Sequence, residues 1–210
     1  MALRAILFDL DGTLIDQFIP IYRAFSQVIE QLGFPVPDFE TVKKSIGGAS
    51  ENTMAKLIGQ CHAKEGVKLL RPIFEKEMLN GLIALPGANE ILQKCRQENI
   101  KTAVLTNKYG PHARTVCEHL NFSKYLEFTI GADDTEWKKP NPSLTKLALE
   151  KMGTNNKNTL YVGDSPYDFQ TATNASMPCI LLPTGTHSEE ELSNLGGNVV
   201  VKKNLLQIFS

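Results

Sequence analysis

Short apolar runs recur along the chain at the lengths expected of β-strands. Several of them are continuous Val, Ile, Leu and Phe runs, which is typical of parallel strands that are buried on both faces. The runs cover residues 5–10, 101–106, 128–131, 159–163, 179–182 and 199–201. Between them apolar residues recur with helical spacing, as at Ala88, Ile91, Leu92 and Cys95. This alternation predicts an α/β fold with a doubly wound parallel sheet.

One interval does not fit a simple strand–helix–strand unit. About 90 residues separate Leu10 from Lys101, far more than a crossover needs. The interval carries helical patterns at 19–32, 54–61 and 69–79 and no convincing strand. We therefore predict an all-helical domain at 16–84, inserted into a Rossmann-like domain of residues 1–15 and 85–210.

Composition and net charge argue against several classes of protein. Of the 210 residues 42% are apolar and 21% charged, which is ordinary for a globular protein and excludes a disordered chain. The net charge of −1 lacks the basic excess that nucleic acid or an anionic membrane requires, so we expect neither partner. Asp9 and Asp11 interrupt the apolar start, and we expect no signal peptide and a cytoplasmic location.

The cysteines and histidines form no metal-ligand pattern. The four cysteines are far apart, and we expect them to be buried free thiols in a reducing compartment. We expect the four histidines to be surface or boundary residues, namely His62, His112, His119 and His187.

Two carboxylates follow the first predicted strand, in Asp9-Leu10-Asp11-Gly12. The carboxyl ends of strands form the binding crevice of open α/β sheets. Two acids this close repel each other, and a divalent cation relieves the repulsion; an oxygen-only ligand set suits Mg²⁺. The alternative is an Asx turn that leaves the strand through Asp-Gly.

Two further segments have the chemistry of an anion site. Thr106 and Asn107 follow the second long strand, where a hydroxyl and unpaired N–H groups form a small cradle, or cap a helix instead. In the segment 138–142, Asn141 and Pro142 read as the N-cap and first residue of a helix. A lysine there could neutralise a phosphate or remain solvated.

The fourth segment contains Asp164 and Asp168. Ser165 and Pro166 predict a helix start, where Asp168 is in position to cap the helix. Asp164 has no such structural explanation, and it shares the edge of the sheet with Asp9 and Asp11. Folding brings the four segments to one crevice, which predicts a site for phosphoryl transfer.

The same residues resemble the four ordered motifs of the haloacid dehalogenase-like (HAD) superfamily. The resemblance lies in Asp9-x-Asp11-Gly12-Thr13, Thr106, Lys139-Pro140 and Gly163-Asp164 with Asp168, and it spans nearly the whole chain. The inserted segment is similar to the helical cap of the phosphoglycolate phosphatase and β-phosphoglucomutase branch.

This resemblance implies roles for the acids. Asp9 would be the nucleophile and form an aspartyl phosphate, and Asp11 would be the general acid and then the base. Mg²⁺ would be bound by Asp9, by the backbone carbonyl of Asp11 and by Asp164, with Asp168 orienting that shell.

It also implies a phosphate site. Thr106, the Asn107 backbone and Lys139 would hold the phosphoryl oxygens. Lys139 is preferred to Lys138 because the family's lysine directly precedes a proline.

The sequence separates the branches of the family in part. The dehalogenases have Tyr at the position of Asp11, so dehalogenation is not expected. Mutase caps have an arginine at the position of Glu51, and its absence opposes a mutase. We predict a Mg²⁺-dependent phosphatase of a small phosphorylated metabolite, similar to phosphoglycolate phosphatase, as a monomer or homodimer.

Alternatives stay open at this point. They are another phosphotransfer enzyme of the same scaffold (β-phosphoglucomutase, pyrophosphatase or nucleotidase), a regulatory phospho-acceptor, and a silent binding protein. The insert is expected to act as a lid on linkers near 14–18 and 82–87. Gly47 and Gly48 either approach the substrate or form an ordinary turn between helices.

Overall fold

The computed structural model describes residues 2–197 and 199–209 of the chain. Its elements, in chain order, are β1 (Ala5–Phe8), β2 (Ile15–Asp16), α1 (Phe18–Gln31), α2 (Phe39–Ser45), α3 (Ser50–Ile58), α4 (Gln60–Glu77), β3 (Ile83–Ala84), α5 (Ala88–Gln97), β4 (Lys101–Leu105), α6 (Gly110–His119), β5 (Thr129–Ile130), α7 (Pro142–Met152), β6 (Thr159–Gly163), α8 (Pro166–Asn174), β7 (Cys179–Leu181), α9 (Glu189–Ser193), β8 (Val200–Val201) and a 3₁₀ turn (Leu205–Gln207).

Six parallel strands form the main sheet in the order β5-β4-β1-β6-β7-β8. The chain starts in the middle at β1, fills one side with β4 and β5, and then fills the other side. The predicted doubly wound α/β fold is thereby confirmed, and each of the six strands lies within the predicted apolar runs.

Both faces of the sheet are covered, which explains the continuous apolar runs. Alternate residues of a strand point to opposite faces. Thus Phe8 packs in a cluster with Leu92 of α5, whereas Leu7 packs in a second cluster with Leu144 of α7. All four residues of β1 are fully buried.

Helices α1–α4, called the cap below, enclose an apolar cluster of their own. Its buried members include Ala24, Val28, Ile29, Met54 and Phe74. The predicted helix 54–61 ends at Ile58. Helix α4 extends from Gln60 to Glu77 with Pro72 inside it, and so begins earlier than the predicted helix 69–79. The periodicity did not predict α2, because its contact with the cluster comes mainly from Val42.

The expectation of no strand between Leu10 and Lys101 is wrong. Where the chain leaves and re-enters the core, β2 and β3 pair antiparallel, with Ile15 opposite Ala84. Strands of two residues are too short to show a period of two in the sequence. The buried amide of Gln17 also donates a hydrogen bond to the carbonyl of Met78, so the two linkers between core and cap are tied together.

Two further expectations need correction. Cys61 is exposed near the start of α4 rather than buried, whereas Cys95 and Cys117 are buried and all four thiols are free. His112 is 5% exposed, because α6 presents it to the cap and not to solvent. Within the described ranges, no helix combines the length and apolar character that crossing a bilayer demands.

Candidate active site

The carboxyl ends of three neighbouring strands supply the acids and the cradle. Asp9 follows β1, Thr106 and Asn107 follow β4, and Asp164 follows β6. Since β1 lies between β4 and β6, these side chains come to one edge of the sheet. All four are buried, with exposures of 8% or less.

Lys139 reaches this edge from the loop before α7. Its Nζ donates to Asp9 Oδ1 and to Asp168 Oδ1, both at 2.7 Å, and its side chain is only 2% exposed. The side chain of Asn107 holds the lysine backbone: Oδ1 accepts from Lys139 N at 3.0 Å and Nδ2 donates to Lys139 O at 3.2 Å. Lys138, next in sequence, is exposed.

Asp168 is fully buried and engaged on both oxygens. Oδ2 accepts from the backbone N–H of Asp164 and of Ser165, each at 3.1 Å, and from Ser165 Oγ at 2.6 Å. Oδ1 accepts from Lys139, and the hydroxyl of Tyr161 lies 3.2 Å from it. The acid thus caps α8, as predicted, and also fixes the loop that carries Asp164.

Asp164 lies in a tight backbone enclosure. Its Oδ2 accepts from the Thr186 N–H at 3.0 Å, and Thr13 Oγ1 lies 3.5 Å from Oδ1. Gly12 has a φ of +85°, and a Cβ there would lie 2.6 Å from Asp164 Oδ2. A side chain at position 12 would therefore be strained and would also displace the acid.

Burial dominates the electrostatics of these acids. It raises the pKa of Asp9 to about 6, with repulsion from Asp168 and Asp11 adding to it and Lys139 opposing it. Burial likewise raises the pKa of Asp164 well above its usual value. For Lys139 burial acts to lower the pKa, but the carboxylates of Asp168 and Asp9 outweigh it and raise that pKa well above the ordinary value.

The acids suit a divalent cation. Carboxylate oxygens of Asp9, Asp164 and Asp168 lie within 4.8 Å of one another. The donors are all oxygen, the set that Mg²⁺ prefers, and burial disfavours their negative charges unless a cation compensates them. Because Asp168 already accepts several hydrogen bonds, Asp9 and Asp164 are better placed to hold the ion.

The carboxylate of Asp11 contacts a lysine that the sequence did not single out. Lys108 Nζ lies 3.2 and 3.1 Å from the two carboxylate oxygens of Asp11, and the side chains are 7% and 13% exposed. The Thr106 hydroxyl accepts from the Lys108 N–H at 3.2 Å, which stabilises the turn. Helix α6 begins at Gly110, so Thr106 and Asn107 are not its N-cap.

A cavity of about 160 Å³ separates these groups from the cap. Asp9 and Asp11 lie on its core side, and its cap side is mainly apolar. Cap residues lining it include Ile21, Phe25, Val67, Leu70 and Phe74.

The loop between α2 and α3 closes one end of the cavity. Gly47 O accepts from Asn107 Nδ2 at 3.2 Å, so one amide joins the cap to the Lys139 loop. Gly47 has a φ of +124°, and a Cβ there would lie 3.0 Å from the ring of Tyr167. This segment is therefore more than a plain turn between helices, because its backbone contacts the core beside the acids.

The other end is closed by one face of α4 against residues 108–112. Arg71 stacks on the Tyr109 ring at 4.3 Å, and Glu75 Oε1 lies 3.2 Å from His112 Nε2. The Phe74 ring lies 4.8 Å from Lys108 Nζ. The only sequence signal for this contact was the one-turn spacing of 71, 74 and 75 on one helix face.

Comparison with known proteins gives a consistent result. The sequence model of the family described as haloacid dehalogenase-like hydrolase matches residues 6–182. A phosphoglycolate phosphatase of Photorhabdus laumondii is 30% identical over 199 residues, covering 91% of this chain and 85% of the relative. A phosphoglycolate phosphatase of Escherichia coli O157:H7 is 29% identical, covering 90% and 85%.

Solved structures share the fold. A haloacid dehalogenase-like family hydrolase from Streptococcus pneumoniae superposes with a TM-score of 0.87 at 21% identity, covering 99% of this chain and 97% of that one. A hydrolase from Pseudomonas syringae gives a TM-score of 0.81 at 24% identity, with 98% and 96% covered.

Proposed function

The chain belongs to the haloacid dehalogenase-like hydrolase family, and on that premise we propose that it is a Mg²⁺-dependent phosphatase of a small phosphomonoester, similar to phosphoglycolate phosphatase, acting through an aspartyl phosphate. One observation carries the proposal. Asp9 lies between Lys139, at 2.7 Å, and the carboxylate of Asp164, at the core side of the cavity between core and cap.

In the first step Asp9 is the nucleophile. A carboxylate oxygen of Asp9 attacks phosphorus, a new bond to Asp9 forms, and the bond to the substrate's alcohol oxygen breaks. Asp11 gives a proton to that oxygen, so that the alcohol leaves neutral. Lys139, the Thr106 hydroxyl and the Asn107 N–H compensate the charge on the phosphoryl oxygens.

In the second step water releases the phosphate. Asp11, now ionised, takes a proton from the water as it attacks phosphorus, and the bond to Asp9 breaks. Each residue returns to its starting state. A single carboxyl serves as acid and then as base, because the first step ionises it.

Mg²⁺ would be held by Asp9, Asp164 and the backbone carbonyl of Asp11. When bound, it supplies positive charge to the transferring phosphoryl group. Asp168 keeps Asp164 and Lys139 in place through the hydrogen bonds described above. Burial raises the pKa of Asp9 and of Asp164 because it disfavours their charged forms, and the positive charge of the ion would favour those forms again.

We propose that the inserted helical domain, residues 16–84, is a lid over this chemistry. The paired strands β2 and β3 would then be its hinge, and closure would exclude all but the attacking water. The small cavity supports a small substrate, as do relatives named phosphoglycolate phosphatase. Glu51 lines the cavity, and its charge would repel a second phosphate, which argues against a mutase.

A panel of phosphate esters with free phosphate as the readout tests the proposal. With Mg²⁺ present we expect phosphate release from phosphoglycolate and other small monoesters, and loss of that release when a chelator removes the ion. Undiminished turnover in chelator would remove the metal from the mechanism. A stable phosphoprotein without turnover would favour a regulatory phospho-acceptor instead.

A further inference from the structure

Lys108 is a second lysine with a largely enclosed side chain, and it has no role in the mechanism above. It lies on the core side of the cavity, three residues after β4, and its side chain is 7% exposed. Lys139 is already bound to Asp9 and Asp168 on the other side of the site. The two lysines therefore serve different carboxylates.

The contact of Lys108 with Asp11 has a defined geometry. Its Nζ lies 3.2 Å from Oδ1 and 3.1 Å from Oδ2, so the ammonium group spans both oxygens of one carboxylate. The Lys108 backbone is held in turn by the Thr106 hydroxyl at 3.2 Å. A long side chain that is fixed at both ends can hold its partner in one orientation.

The cap completes the enclosure of this ion pair. The Phe74 ring of α4 lies 4.8 Å from Lys108 Nζ and packs against His112 with centroids 5.3 Å apart. A ring face attracts a cation, and it excludes water from the pair. Lid closure and the position of Asp11 thereby become linked through one lysine.

We propose that Lys108 is a positioning residue: with Phe74 of the cap over it, its ammonium group holds one oxygen of the Asp11 carboxyl, so that the other oxygen, which carries the proton for the first step, faces the leaving oxygen. This inference rests on the proposed function, because it assumes that Asp11 protonates the leaving alcohol. It predicts that the role of Lys108 depends on how much help the leaving group needs.

The test compares two esters in single turnovers with enzyme in excess, so that hydrolysis of the phosphoenzyme does not limit the signal. Phosphoglycolate has an alkyl leaving group that needs a proton, whereas p-nitrophenyl phosphate releases a stable phenolate. In Lys108→Met we expect alcohol release from phosphoglycolate at saturation to slow by about 10- to 100-fold. Release of p-nitrophenolate should slow by less than about 3-fold.

Three further variants make the result specific. Lys108→Arg, which keeps the charge, should restore most of the rate with phosphoglycolate. Combining Asp11→Asn with Lys108→Met should lose no more than Asp11→Asn alone, because residues that act as a unit are not additive. Lys146→Met, the same change at an exposed lysine of α7 that does not line this cavity, is the control.

The cap side is tested by Phe74→Leu. It should show the same dependence on the leaving group with a smaller loss, and it also keeps the proposal testable if Lys108→Met does not fold. Equal losses with both esters, or a loss confined to KM, would overturn the positioning role. If wild-type enzyme releases neither alcohol, the proposed function fails rather than this inference.

Discussion

The two walls of the cavity are built by different rules. On the core wall the acids follow strands of the sheet or lie at a helix start, and Lys139 comes from the loop before α7. These groups are held by hydrogen bonds from backbone and side chains, as Asp168 is by Asp164 and Ser165. The cap wall consists mainly of apolar helix residues that also form the cap's own cluster. In the mechanism we propose, the core determines the chemistry and the cap determines access.

The difference predicts unequal responses to mutation. A change on the core wall removes a group from the reaction and should reduce turnover by orders of magnitude. A change where the cap meets the core should alter closure and stability more modestly. Four variants, with Lys138→Ala as a control, test this contrast.

Asp9→Asn should have the largest effect. The substitution keeps the shape of the side chain but removes the nucleophile, so we expect kcat to fall by at least about 10⁴-fold. Phosphate release measures the loss, and an unchanged thermal unfolding transition shows that the fold is intact. Retention of most activity would remove Asp9 from the reaction.

The second largest effect should be the difference between substitutions of the adjacent Lys139 and Lys138. Lys139→Ala should lower kcat by about 10³-fold, since it removes the cation beside the transferring group. It also leaves Asp9 and Asp168 buried without their partner, which costs stability by about 3 kcal/mol or more. Lys138→Ala should change both quantities little. Similar kinetics and melting curves for the two variants would contradict the assignment.

Asp11→Asn should cost about 10²-fold with an alkyl ester, within the range for a lost general acid. The fold should remain intact because the substitution is nearly isosteric and the Asn oxygen can still accept from Lys108, although loss of the charge in this largely enclosed ion pair should lower the stability somewhat. Steady-state kinetics with phosphoglycolate provide the measurement. A loss below about 3-fold would mean that another group protonates the alcohol.

The contact between cap and core at His112 should give the smallest effect. Burial lowers the pKa of His112 from 6.5; Lys108 and Arg71 lower it further, and Glu75 opposes them. Tyr109 and Phe74 pack on the remaining sides. A lowered pKa means that the unfolded chain binds the proton more tightly, so this contribution to stability is lost as the pH falls below about 6.5.

Unfolding free energies of the wild type and of His112→Gln, measured at about pH 7 and about pH 5, isolate that contribution. The wild type should lose more stability on acidification than the variant, because other titrating groups cancel in the difference. Equal losses would show that His112 is not held in its neutral form at this contact.

Sequence reasoning reached most of the core wall. The strands are continuous apolar runs, and a residue that directly follows such a run must lie at the edge of the sheet. Asp9 and Asp164 could therefore be placed at that edge from the sequence alone. The helix start at Ser165 could also be predicted from the sequence, because capping depends on residues that are close neighbours in the chain.

It did not reach the contacts that join distant segments. Lys108 is one of many lysines, and only the folded chain shows that it meets Asp11. His112 shows no pattern in sequence, since its burial depends on α4 closing over α6. The pairing of β2 with β3 joins residues almost 70 positions apart through two residues each, too few for a period to appear.

The most direct test of the account is to find the phosphoryl group on Asp9. Asp11→Asn enzyme would be mixed with Mg²⁺ and p-nitrophenyl phosphate, whose phenolate leaves without a proton, so the intermediate should still form while its hydrolysis lacks the base and is slow. The mixture would be quenched in acid and reduced with borohydride, which converts an aspartyl phosphate to homoserine. Mass spectrometry of peptides should then find homoserine at position 9. Phosphate release with unmodified Asp9, or the mark on another acid, would contradict the account.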